Sequence, residues 1–243
     1  MCTVTFIPVN DTVFITHNRD ENQVRPPAIP PRFHQVNGYK LLFPKDKKAG
    51  GTWIAINENG NAAVLLNGAF IKHTPATPYR KSRGLIFLEI LAANDFLTAW
   101  RSLNLQDIEP FTFIVWSNAQ LFETRWDGSR KYATKLNAKE SHLWASVTLY
   151  DNKALTKRRR WFEEWQEAHP VPSMADIIYF HLHAGEGDTR NDLYMNRDGL
   201  ILTVSVTSMQ ITTEKGLMSY LDLQDSSDSQ QEIKFLKDPV EIQ

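Results

Sequence analysis

A β-rich run over residues 2–8 opens the chain, and after the polar pair Asn10-Asp11 a second such run covers residues 12–17. Two apolar runs about a turn signal predict a hairpin at the N-terminus. Residues 25–31 hold four prolines; they cannot donate ladder hydrogen bonds, so this stretch is expected as an extended, ordered loop. Short strands are predicted over residues 39–43, 52–56 and 62–66, the last two joined by the turn signal Asn57-Glu58-Asn59-Gly60-Asn61.

Helical spacing then takes over. Leu85, Leu88, Ile90 and Leu91 fall on a helix begun by Ser82, and Leu97, Trp100 and Leu103 on another capped by Asn94. Residues 111–116 and 120–126 return to a β-pair about Ser117-Asn118, and 143–149 make a further strand. Helices are predicted over 153–169, charged and partly in register, and over 174–183, with strands over 200–206 and 209–213 after them. The polar run 224–231 lacks aromatics and is expected to begin a C-terminal tail, residues 224–243, behind a single domain over residues 1–223. With no repeat and no Gly/Ser linker, the order of elements describes one α/β chain built on antiparallel hairpins.

Charge and composition exclude several classes of partner. The 27 Lys and Arg against 28 Asp and Glu give a formal net charge of −1, so no general attraction to nucleic acid or to an anionic membrane is expected. No run approaches the ~18 apolar residues of a bilayer span, and no signal peptide is evident, which predicts a cytoplasmic protein. One cysteine allows no internal disulfide and no Cys-rich zinc site, and neither a metal nor a cofactor is expected. The imidazoles of His181 and His183 are two residues apart and would face apart on a helix, against a shared metal. Lys157-Arg158-Arg159-Arg160 lies among Glu163, Glu164 and Glu167 and reads as a solvated helix face. The seven tryptophans are expected in the core, with Trp53, Trp116 or Trp144 available to line an apolar pocket.

Candidate chemistry begins at Cys2. Removal of Met1 would put a thiol and a free α-amine on one residue, a strong nucleophile beside a base with pKa near ~7.7–8. In a hairpin turning at Asn10-Asp11, residues 17–20 return beside residues 2–4, which brings Asn18-Arg19-Asp20-Glu21 to Cys2. Arg19 is then positioned to lower the thiol pKa and grip a substrate oxygen, and Asp20 to hold the α-amine.

These residues resemble the transport and Golgi organisation protein 2 family, also named NRDE after the tetrapeptide at 18–21. The resemblance is carried by Cys2, Asn18-Arg19-Asp20-Glu21, Arg25-Pro26, Ala49-Gly50-Gly51-Thr52-Trp53, Asn57-Glu58-Asn59-Gly60 and Ser82-Arg83-Gly84, in that order, and is specific over about residues 1–90. It implies an N-terminal nucleophile hydrolase of α+β class, a four-layer αββα sandwich of two stacked antiparallel sheets, similar to choloylglycine hydrolase and penicillin V acylase. By the same resemblance Cys2 is the nucleophile, Asp20 the partner of its α-amine, Arg19 the cation beside the thiol and Asn67 the oxyanion donor. Acylases of this type place a second asparagine after the central β-region, whereas Leu143-Trp144-Ala145-Ser146-Val147 contains none. The oxyanion is then left to Asn67 and backbone N–H groups, helped by Ser146. Asn18 and Trp53 are candidate substrate contacts; a further basic contact is either Arg190 or Arg197, and Arg197 is carried as the candidate. The expected reaction is hydrolysis of a non-peptide carbon–nitrogen bond in a small N-acyl amide. The alternative that the resemblance implies is a non-catalytic protein that binds or carries a hydrophobic ligand, haem or lipid.

Overall fold

The computed structural model of the 243-residue chain describes residues 2–74 and 78–236. The chain begins with the expected hairpin of β1 (Cys2–Val9) and β2 (Thr12–Asn22), turned at Asn10 with φ +52°, a left-handed conformation that asparagine tolerates. Next come β3 (Ile29–Val36), β4 (Tyr39–Lys45), β5 (Ile54–Asn57) and β6 (Ala62–Asn67), then the helices α1 (Arg83–Leu91) and α2 (Phe96–Ser102). The strands β7 (Phe111–Ser117), β8 (Gln120–Trp126), β9 (Lys131–Leu136) and β10 (His142–Ala145) precede α3 (Asn152–Ala168) and α4 (Met174–His183). The chain closes with β11 (Asn196–Arg197), β12 (Ile201–Ile211), β13 (Lys215–Asp222) and β14 (Asp228–Lys234).

Two antiparallel sheets result. One has the order β10-β1-β2-β12-β13-β14, with β11 beside β12; the other runs β3 to β9 in sequence. Alternation in β1 and β2 sorts their side chains. Val4, Phe6 and Ile15 join the large core shared with Leu42, Ile54 and Ile56 of the second sheet, whereas Ile7 and Phe14 pack on Trp161 and Phe162 of α3 and on Ile177 and Phe180 of α4. The helices α1 and α2 cover the far side of the second sheet through Ile86, Phe87 and Trp100. The order of layers is α3/α4, sheet, sheet, α1/α2, the four-layer sandwich that the resemblance implies.

Three sequence expectations are corrected. Residues 29–31, the end of the expected proline loop, open β3 (Ile29–Val36), which Pro30 and Pro31 can enter because it is an edge strand with half its ladder unpaired. The polar run from Gln224 continues as β14, which pairs along β13 from Asp228 to Lys234; residues 237–243 of the expected tail lie outside the described residues. The helix α2 is capped by Asp95, whose side chain accepts from the Thr98 N–H at 2.7 Å, rather than by Asn94. Among the described residues no helix is long and apolar enough to cross a membrane.

Candidate active site

Register fixes the site. Cys2 stands opposite Arg19 in the β1–β2 ladder, Arg19 opposite Ser205 and Asp20 opposite Thr203 in the β2–β12 ladder, where a β-bulge between Thr203 and Ser205 interrupts the pairing. Paired residues share a face, so Cys2 and Arg19 point toward the second sheet while Asn18 and Asp20 point toward the helices. The tetrapeptide is thereby divided between two environments.

On the inner face lies a cavity of about 490 Å³ lined by Cys2, Arg19, Trp53 and Asn67, among others. Cys2 is 5% exposed. Burial pushes its thiol pKa up and the Asp20 carboxylate adds to this, so the thiol is protonated until a base removes the proton. The expected depression by Arg19 is not what governs the thiol. Arg19 instead donates to Asp46 at 2.8 Å and to Glu21 at 3.5 Å, with its guanidinium 4.2 Å from the centre of the Trp53 ring. Met1, whose removal would expose the α-amine of Cys2, lies outside the described residues.

Asp46 organises the wall beside Arg19. Its Oδ1 accepts from the backbone N–H groups of Lys48 and Ala49, closing the loop that leads to Gly50 and Gly51, and its Oδ2 accepts from both Arg19 and Arg25. Although burial disfavours the ionised form, the Ala49 N–H and the two guanidinium groups hold this carboxyl below its ordinary pKa. The opposite wall comes from the start of α1. A β-carbon on Gly51 would lie 2.5 Å from the carbonyl carbon of Gly84, and one on Gly84 would lie 2.8 Å from the carbonyl oxygen of Thr52. Backbone therefore packs on backbone here, which only glycine permits at both positions. That contact carries Arg83 into the cavity, where it pairs with Glu109 at 3.0 Å. Burial lowers the pKa of Arg83, opposed first by Glu109 and more weakly by Tyr79, Cys2 and Glu21.

Ser146 joins the two candidate catalytic loops. Its backbone N–H donates to the Cys2 carbonyl at 2.9 Å and its hydroxyl to the Asn67 carbonyl at 2.8 Å. Ser146 is a brace, then: its hydroxyl and its backbone N–H are both already engaged, and neither is left to help Asn67 at an oxyanion. Asn67 ends β6 with its side chain at the cavity, next to Gly68, whose φ of +79° turns the chain away.

On the outer face, Asp20 is fully buried and accepts from the Tyr150 hydroxyl at 2.7 Å and from the Thr203 hydroxyl at 2.6 Å. Burial raises its pKa; the nearby Arg158 guanidinium opposes this most strongly, aided by both hydrogen bonds. Arg158 itself is 0% exposed, lies 3.6 Å from the centre of the Tyr150 ring, and donates to Thr3 Oγ1 and to the carbonyls of Asn191 and Asp192. The expectation of a solvated face over residues 157–160 therefore fails at Arg158, because α3 turns this one residue of the run inward against β1.

The remaining sequence candidates lie elsewhere. Asn18 bonds its side-chain amide to the carbonyls of His181 and Leu193 and its Oδ1 to His181 Nδ1, which locks α4 to β2 and keeps it out of the cavity. Arg197 donates to the carbonyls of Arg190 and Leu149, and Arg190 pairs with Asp198 at 2.5 Å, so neither lines the cavity. Trp116 and Trp144 line other surface hollows; of the three candidate tryptophans, Trp53 lines this one. Arg25, Asp46, Arg83, Tyr150 and Arg158 were not assigned to the site from the sequence. Arg25 and Arg83 fall inside motifs that carried the resemblance, a signal that was available; Tyr150 and Arg158 gave none.

A family model described as Transport and Golgi organisation 2 matches residues 1–192. No curated protein matches the sequence. Among solved structures, a cysteine-to-alanine mutant of the conjugated bile acid hydrolase from Clostridium perfringens superposes with a TM-score of 0.59 at 10% identity, covering 98% of this chain and 97% of that one. A second variant of that enzyme gives 0.58 at 10% identity with the same coverage. The Caenorhabditis elegans orthologue of N-acylethanolamine-hydrolyzing acid amidase gives 0.57 at 14% identity over 86% of this chain and 92% of that one. At these identities the likeness is one of fold, the fold of N-terminal nucleophile hydrolases.

Proposed function

Since the chain belongs to the Transport and Golgi organisation 2 family, we propose that it is an N-terminal cysteine hydrolase of small N-acyl amides. The observation that carries this reading is the meeting of Cys2, Arg19 and Asn67 on one cavity, with Asp20 held directly behind the nucleophile. The solved structures of like fold, a bile acid hydrolase and an acid amidase, support it.

The chemistry follows from these placements. With Met1 removed, the α-amine of Cys2 takes the thiol proton and the sulfur attacks the amide carbonyl carbon. Negative charge gathers on the carbonyl oxygen, where the Asn67 side-chain amide donates; one such donor contributes ~3 kcal/mol in comparable sites. Asp20 stabilises the ammonium formed on Cys2. That ammonium returns its proton to the departing nitrogen as the carbon–nitrogen bond breaks, leaving an acyl thioester on Cys2. The α-amine then deprotonates water, which attacks the thioester; the carbon–sulfur bond breaks, a carboxylic acid leaves and the thiol is regenerated.

A ligand carrier for haem or lipid is the competing reading, and it finds less support. Among the described residues the cavity is lined by four cationic and three anionic side chains, and a mainly apolar body would have to desolvate them. Purified protein lacking Met1, assayed against a panel of N-acyl amides, is expected to show saturable turnover that Cys2→Ala abolishes. Turnover that survives Cys2→Ala, or saturable haem or acyl-lipid binding without turnover of any amide, would overturn the assignment.

A further inference from the structure

We propose that the cavity takes a substrate bearing a carboxylate, which Arg25 and Arg83 bind while the scissile carbonyl rests over Cys2. This rests on the hydrolase reading and specifies its substrate class.

The argument comes from which charges around the cavity already have partners. All three lining carboxylates are engaged. Asp46 Oδ2 takes Arg19 at 2.8 Å and Arg25 at 2.9 Å, while its Oδ1 takes two backbone N–H groups. Glu109 uses Oε2 on Arg83 at 3.0 Å and Oε1 on His73 at 3.2 Å. Glu21 uses Oε1 on the Asn22 N–H and Oε2 on Arg19. A cationic substrate would meet no open carboxylate among the described residues.

The guanidinium groups are in the opposite state. Each offers five N–H donors in a planar fork. Arg25 directs Nε and Nη2 at a single oxygen, one that Arg19 shares, and among the described residues its Nη1 has no partner. Arg83 uses Nη2 on Glu109 and Nη1 on the Pro110 carbonyl, and its Nε has no partner among the described residues. The side chain of Arg25 is 29% exposed at the mouth and that of Arg83 is 16% exposed, so open donors and solvent access coincide. Lys81 is already paired with Glu89, so the open N–H donors of Arg25 and Arg83 are what ask for an anionic, acceptor-rich group. The planar fork suits a carboxylate, and Trp53, Leu65 and Ala49 leave only a small apolar surface for the rest of the molecule.

Alkylation of Cys2 tests this without any amide. Iodoacetate and iodoacetamide differ by a carboxylate against a neutral amide, and both transfer a carbon to the sulfur with loss of iodide. For purified protein lacking Met1, the iodoacetate to iodoacetamide rate ratio, divided by that of free cysteine, is expected to be at least about tenfold, the effect of one charge-assisted hydrogen bond. Arg25→Gln and Arg83→Gln should each lower it severalfold, and raised salt should lower it too. Arg25 is partly exposed, so its variant remains informative if Arg83→Gln does not fold. A ratio no greater than that of free cysteine, or one unchanged in Arg25→Gln, would overturn the proposal. Among amides, N-acylglycines should exceed their neutral methylamides in kcat/KM. Should no amide be turned over while the iodoacetate preference and its loss in the variants persist, the hydrolase reading fails and the carboxylate site stands. Should neutral and carboxylated amides be hydrolysed alike, with no iodoacetate preference, the carboxylate site fails and the hydrolase stands.

Discussion

Gly51 and Gly84 touch backbone to backbone: a β-carbon on the first would fall 2.5 Å from the carbonyl carbon of the second. The contact sets where α1 begins, and with it the position of Arg83 on the cavity wall. Gly51→Ala is expected to push α1 away and destabilise the fold by about 1–3 kcal/mol, the usual cost of overpacking. Urea unfolding measures the cost, and a faster, less charge-selective alkylation of Cys2 would report the displaced wall.

Asn67→Ala should leave the fold in place, since the side chain faces the cavity, and should lower kcat by roughly 10²–10³ through loss of an oxyanion donor. Steady-state kinetics on any amide found to turn over will check it; a loss confined to KM would remove Asn67 from the transition state.

Ser146→Ala removes the hydroxyl that ties the Asn67 carbonyl to the residue bracing Cys2. A stability loss of about 1 kcal/mol is expected for one hydrogen bond. The fall in kcat should be smaller than for Asn67→Ala, because the backbone N–H bond to Cys2 persists.

Arg158→Leu leaves Asp20 buried without the cation that most favours its ionised form. The expected result is an upward shift in the acid limb of Cys2 alkylation, with Arg158→Lys shifted less. The groups that bear on this limb are Cys2 on β1, Tyr150 before α3, Arg158 on α3 and the Asp20 carboxylate itself. The leucine variant should also be destabilised by roughly 3–5 kcal/mol, since removing one partner strands a buried charge. An unmoved pH profile would separate Arg158 from the nucleophile.

His181 is fully buried, accepts a hydrogen bond from Thr5 and donates one to Asn18, and burial pushes its pKa down to about 3. The unfolded chain binds this proton near the ordinary value of about 6.5 while the folded one refuses it until about 3. Stability should therefore fall as pH drops from about 6.5 toward 3, with a slope of up to about 1.4 kcal/mol per pH unit from this group. His17, also buried and pushed well down by burial, adds in the same direction. Urea midpoints between pH 7 and 4 give the slope, and His181→Gln should flatten it.

Local signals made the first hairpin, the strands β4 to β8 of the second sheet and the helix α4 legible, since each pairs an apolar period with a turn or cap. α4, for instance, starts at the Ser173/Asp176 capping box. The end of the first sheet was not legible. β12 buries Ser205 and Thr207 on one face and Ser208 on the other among its apolar residues, so it reads as two short strands rather than one. β14 has a single buried residue, Ile233, and is held by its ladder with β13 rather than by an apolar face. At the site, the N-terminal motifs located the inner face. The partners of Asp20 stayed hidden because Tyr150 and Arg158 reach it from sequence positions far away, and burial of a cation leaves no mark in a basic run.

The hairpin of β1 and β2 is flanked on both sides within its sheet, by β10 and by β12, whereas the facing wall arrives on a separate segment leading into α1. The share of recognition that Arg83 carries thus sits on a segment apart from the nucleophile, while the share of Arg25 stays beside β2. Rewriting residues 78–83, with Gly84 kept at its contact, should alter the choice of ligand at almost no cost to the nucleophile. The same independence would let related chains diverge in what they admit while keeping one chemical engine.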